Sequence, residues 1–121
     1  MIPKQYEARI QKEQEKNPDI KFTISADGLI KFKLNNKLHC NTGPAIETLA
    51  GDKEWQINGK RHRTDGPAVE WKDGTKEWWI DGKLHRTDGP AIESKKIQSY
   101  YLNGIPLTQE KWEKLKGKFI D

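Results

Sequence analysis

His39, His62 and His85 stand 23 residues apart, and three imidazoles at a fixed interval invite a metal site. The interval itself argues against one. Units made of two paired strands stack about 10 Å apart, given a strand separation of ~4.8 Å, whereas zinc needs its ligands within ~2.1 Å. One ion does not bridge equivalent positions of successive units, and no CxxC or HxxxH pair occurs in the chain. The histidines are expected to form a structural ladder, each ring bonding a neighbouring turn, with no metal.

Each of the last two histidines opens the same phrase, "HRTDGPA", which places Arg63 with Asp65 and Arg86 with Asp88. The first copy has lost both partners together and carries Cys40 and Thr42 instead. Joint loss points to a mutual contact or one shared turn. In that turn Asp bonds the backbone, and Gly66 or Gly89 takes a positive φ. The alternative is an anion contact by Arg63 or Arg86. A phosphate cradle fits poorly, because "TDGPA" holds one Gly and precedes no helix N-terminus. There is no G-x-S-x-G elbow. Glu47, Glu70 and Glu93 recur as equivalent carboxylates, whereas hydrolytic pairs need two in different environments. The chain is expected to be non-enzymatic and to need no cofactor.

The elements that position these residues repeat with them. Phe32, Trp55 and Trp78 hold the same phase as the histidines, as do the three Gly-Pro-Ala triplets. The units run over about 30–52, 53–75 and 76–98, and a fourth begins at "SYYLNGIPL". Within a unit, "KEWQI" alternates polar and apolar in the manner of a half-buried strand. "NG" or "DG" then supplies the positive-φ residues of a hairpin turn. After the "RTDG" loop, "PAVEW" reads as another strand, with Pro at its first position, where a sheet tolerates it. One such hairpin does not bury its own face, so stacked copies must share a core. The flanks differ in kind. Residues 3–16 read as a polar helix with Tyr6 and Ile10 on one side, and Thr108 reads as the N-cap of a helix that turns Trp112 and Leu115 inward. The expected fold is mainly β: three to four stacked antiparallel β-hairpin units of about 23 residues, capped by an N-terminal and a C-terminal helix. It is one domain, with a cap and lead-in at 1–27, repeats at 28–107 and a second cap at 108–121.

The unit "EWWIDGKLHRTDGPAIE" resembles a tandem-hairpin repeat of small phage and giant-virus proteins, written roughly Trp-x-Leu-Asn-Gly-Lys-x-His-Arg-x-Asp-Gly-Pro-Ala. The resemblance covers about residues 30–116. It implies a viral origin and a fold comparable to stacked MORN-type hairpins, and it implies no shared catalytic activity. The first unit departs from the pattern at Cys40 and Thr42, and the fourth at Ile105, Pro106 and Leu107.

In a repeat array the recurring positions stack the units, and the varying ones are free to recognise something. On the strand face turned away from Phe32, Trp55, Trp78 and Tyr100 stand Lys33, Gln56, Trp79 and Tyr101. Trp79 and Tyr101 read as a recognition pair, or else as a buried second layer or dimer interface. Trp71 varies with Thr48 and Ser94, and fills core or joins the same surface; Arg61 varies with Leu38 and Leu84.

Composition sets the remaining bounds. Leu, Ile, Val and Phe make up about a fifth of 121 residues, which five Trp and three Tyr partly offset, so the core is expected to be thin and aromatic. A net charge of +4 without any polybasic run permits an anionic partner and does not demand one. The lone Cys40 fits a reducing compartment, and no stretch approaches the ~20 apolar residues of a membrane span. Together with the resemblance, these features point to a non-catalytic phage-type binding protein of the host cytoplasm. It would be a counter-defence inhibitor that occupies a host protein or sequesters a small anionic, nucleotide-like ligand. The alternatives are a nucleic-acid-binding protein and a structural, virion-associated homo-oligomer.

Overall fold

A computed structural model describes residues 2–119; Met1, Ile120 and Asp121, at the outer ends of the two expected caps, lie outside it. Helix α1 spans Lys4–Lys16 and buries Tyr6, Ile10 and Glu13. Strands β1 (Lys21–Ile24) and β2 (Ile30–Leu34) form the lead-in hairpin. Three further short strands complete each of the first two turns of the array: β3 (Lys37–Leu38), β4 (Ile46–Glu47) and β5 (Lys53–Glu54), then β7 (Lys60–Arg61), β8 (Val69–Glu70) and β9 (Lys76–Glu77), with β6 (Gln56–Ile57) between. The third follows as β10 (Trp79–Ile80), β11 (Lys83–Leu84) and β12 (Ile92–Glu93). The array ends on β13 (Gln98–Leu102) and β14 (Ile105–Leu107), then helix α2 (Gln109–Leu115) and a 3₁₀ turn at Lys116–Lys118. The fold is therefore stacked antiparallel β-hairpins between two helices.

The strand expected over "KEWQI" is interrupted at its aromatic residue. The Trp55 N–H donates to the Ala68 carbonyl (2.7 Å), while the Trp55 carbonyl accepts from the His62 N–H (3.2 Å). Phe32 and Trp78 repeat this switch with Ala45 and His39, and with Ala91 and His85. Each unit thus forks at its aromatic. One branch joins a main sheet in the order β1-β2-β4-β5-β8-β9-β12-β13-β14, and the other forms a small hairpin such as β6-β7 or β10-β11. The "RTDG" loop leaves from the fork. Ala45, Ala68 and Ala91 sit in its crotch, fully buried, and their N–H groups donate to Glu54, Glu77 and Ser99 of the next unit.

Hairpin turns follow the sequence. Asn58 (φ 51°) and Gly59 (φ 80°) supply the two left-handed residues of a tight turn, and Asp81-Gly82 and Asn103-Gly104 repeat it. Across the main sheet, Glu47, Lys53, Glu70, Lys76, Glu93 and Gln98 stand opposite one another in one cross-strand row. Alternating opposite charges support each pairing by roughly 0.2–1 kcal/mol, which accounts for a Glu that recurs once per unit. A hydrophobic cluster lies at the N-terminal end, where Tyr6 and Ile10 of α1 meet Ile20, Ile30, Phe32, Cys40 and Ala45.

At the other end, the Lys111 N–H donates to Thr108 Oγ1, capping α2. Trp112 is buried, tilted against Tyr100 at 4.8 Å, and its Nε1 donates to the Arg86 carbonyl. Leu115, expected to face inward, is exposed. The helix is only two turns long, and Trp112 is its one buried residue among the described ones.

Candidate recognition surface

The recurring polar residues are engaged with one another. His39 Nδ1 accepts from the Asn58 N–H (3.0 Å), His62 Nδ1 from Asp81 (3.0 Å) and His85 Nδ1 from Asn103 (2.9 Å). Each ring therefore stitches its unit to the hairpin turn of the next one. An N–H aimed at Nδ1 requires the lone pair there, which places the proton of the neutral ring on Nε2. Among the described residues no group of three His, Cys, Asp or Glu is placed to hold a metal ion.

Arg63 and Arg86 lie over aromatic rings, 3.8 Å from the centroid of Trp55 and 3.6 Å from that of Trp78. The Arg63 guanidinium donates to Asp65, to the Pro67 carbonyl and to Glu70; Arg86 donates to Asp88 and to the Pro90 carbonyl and faces Glu93 at 3.8 Å. Asp65 and Asp88 thus bond arginine, the mutual contact to which their joint loss from unit one points. The expected positive φ at Gly66 and Gly89 is not found. A Cβ at Gly66 would stand 3.0 Å from Arg63 Cζ, and one at Gly89 would stand 2.7 Å from Arg86 Cζ. Glycine is required there because the guanidinium lies against the backbone.

Unit one keeps this arrangement although it lost the arginine. Arg9 of α1 lies over Phe32 at 4.5 Å, donates to the Pro44 carbonyl and to Glu47, and crowds Gly43. Glu13, one turn further along the helix, bonds Arg9, Thr42 and Cys40. Burial raises the Glu13 pKa, but hydrogen bonds from Thr42 and Cys40 and the charge of Arg9 outweigh it and hold the carboxyl below its ordinary value. Burial pushes the Cys40 thiol up, so it remains protonated. The helix completes the first unit's site with residues that carry no repeat signature, and sequence reasoning passed over them.

The opposite face of the sheet is organised by Glu77, which the ladder places level with Val69 and Ile92. Its two oxygens accept from Trp79 Nε1 (2.9 Å) and Trp71 Nε1 (2.7 Å). Arg61 reaches over the Trp79 ring at 5.0 Å, donates to Glu54 (3.1 Å) and approaches Glu77 at 3.8 Å. Gln56 is buried beneath this cluster. Trp79 is half-buried under Arg61, and Tyr101 is half-buried against Pro106 of β14. Among the described residues the two rings make no ring contact with each other. Trp71 is the more open of the three, 39% exposed. Glu54 and Glu77 were not singled out in the sequence, though both precede the unit's aromatic by one residue. Comparison with known proteins finds no matching family model, curated protein or solved structure.

Proposed function

We propose that the chain is a non-catalytic repeat protein that acts by binding another protein. We place it among the counter-defence inhibitors implied by the phage resemblance, acting in the host cytoplasm. One observation carries the reading. Arg61, Arg63 and Arg86 are each matched by carboxylates of the protein itself, whereas an aromatic surface centred on Trp71 is held in place and left open. Arginines already neutralised serve a nucleotide poorly, and a rigid, exposed Trp is the side chain that anchors protein interfaces.

A second reading has one observation in its favour. The stems of Lys37, Lys60 and Lys83 pack over the next unit's Gly59, Gly82 and Gly104. This ranks three lysines along the hairpin tips, with no ion pair to any of them among the described residues. Such a row suits a nucleic acid.

The two readings separate in one experiment. The immobilised full chain is challenged with host-cell lysate at low and high salt, and bound protein, nucleic acid and heat-released nucleotides are identified. Protein retained at high salt by the wild type and lost by a Trp71→Ala, Trp79→Ala variant of unchanged circular dichroism supports the first. Nucleic acid retained only at low salt supports the second. Nucleotide release without protein, or no capture at all, overturns both.

A further inference from the structure

Four times among the described residues a guanidinium lies over an aromatic ring with a carboxylate bonded at its rim. Arg9 lies on Phe32 with Glu47, Arg61 on Trp79 with Glu54, Arg63 on Trp55 with Asp65, and Arg86 on Trp78 with Asp88. Trp71 also has carboxylates around it, and among the described residues no cation lies over its ring. Its Nε1 is held by Glu77, and the ring borders both a groove of about 340 Å³ lined by Asp52, Lys72 and Asp73 and a recess that includes Leu29, Ile46, Val69 and Lys53. The carboxylates at this groove are held by the backbone: Asp52 accepts from the Lys72 N–H (2.7 Å), and Asp73 from the Thr75 N–H (2.9 Å). Among the described residues neither takes part in an ion pair. The bonds from Thr75 hold the Asp73 carboxyl below its ordinary value, so it is anionic at neutral pH.

We propose that this groove receives an arginine side chain of the partner polypeptide, its guanidinium laid across Trp71 and bonded to Asp52 and Asp73. The inference deepens the protein-binding reading and rests on it. A planar guanidinium both stacks on an indole and offers a fork of donors to carboxylates, which a lysine ammonium does not. Two carboxylates beside the ring disfavour a phosphate or a carboxylate ligand. Lys72 lies exposed on the turn beside the groove.

The probe is acetyl-Gly-Arg-Gly-amide, with the citrulline peptide as its isosteric neutral control. It is titrated against the ¹⁵N-labelled full chain while the indole N–H signals are followed, that of Trp71 being identified through Trp71→Phe. A saturable shift of the Trp71 signal is expected. Binding should weaken at least tenfold with citrulline, and at least tenfold in an Asp52→Asn, Asp73→Asn variant, whose amide oxygens keep the turn bonds. An unmoved Trp71 signal, equal binding of the citrulline peptide, or full affinity in the Asn variant overturns the inference. The wider reading fails separately, if no protein is captured from lysate. Capture that survives Trp71→Phe combined with the two Asn changes overturns the arginine groove alone.

Discussion

Arg9 occupies, over the ring of Phe32, the place that Arg63 holds over Trp55 and Arg86 over Trp78. A helix lying before the array thereby supplies the side chain that the first unit lacks. Trp112 does the corresponding work at the far end, where it covers Tyr100. Each cap closes the array by completing the aromatic site of the unit it covers, a more specific contact than the shielding of a sheet edge.

Replacing Arg9 by Ala strips Phe32 and leaves Glu47 and the Pro44 carbonyl without their donor. The expected loss of unfolding free energy in urea is about 2–3 kcal/mol. Adding Cys40→Arg and Thr42→Asp to that variant should recover part of the loss, since the pair rebuilds the arrangement of units two and three. Absence of recovery would show that the sites are not equivalent.

Gly89→Ala places a methyl 2.7 Å from Arg86 Cζ and must move the guanidinium off Trp78. A destabilisation of about 1–3 kcal/mol is expected. Gly66→Ala, at 3.0 Å, should cost less, and Gly117→Ala, with nothing within 4 Å, should be near neutral. Thermal melts of the three variants establish the order.

His62→Ala removes the acceptor of the Asp81 N–H and should cost about 1–2 kcal/mol. The local signature is sharper than the global one. In hydrogen exchange by NMR, the Asn58, Asp81 and Asn103 amides are expected to exchange slowly in the wild type, with Asp81 selectively accelerated in the variant. Uniform acceleration of all three would contradict a stitch confined to one pair of units.

Glu13 has a folded pKa below that of the unfolded chain. Its contribution to stability is therefore complete above the unfolded value, about pH 4.3, and is lost as the pH falls through the folded value. Urea midpoints measured from pH 7 down to pH 3 should decline over that lower range. Glu13→Gln should lower the midpoint at pH 7 and flatten the decline.

Much of the architecture was legible because its causes are local. The 23-residue period, the Asn-Gly and Asp-Gly turns and the Thr108 cap each depend on residues near one another in the chain, and all are found, whereas the alternation read over "KEWQI" gives way to the fork at Trp55 with Gln56 buried. The joint absence of Arg and Asp from unit one also pointed correctly to their mutual contact, seen between Arg63 and Asp65. Gly66 and Gly89 were misread because a glycine can answer to backbone torsion or to a close neighbour, and only the folded chain tells which.

The sequence by itself determined that equivalent residues recur at equal intervals, and hence that hairpins stack and their recurring side chains meet. What the tertiary structure alone decided is who fills the exceptions. Arg9 reaches Gly43 across more than thirty residues of chain, and Glu77 joins Trp71 to Trp79 through the register of the sheet. No period marks these contacts, because they depend on where a helix docks and which face a strand presents. The same holds for Trp71, which is 39% exposed and over whose ring no cation lies among the described residues.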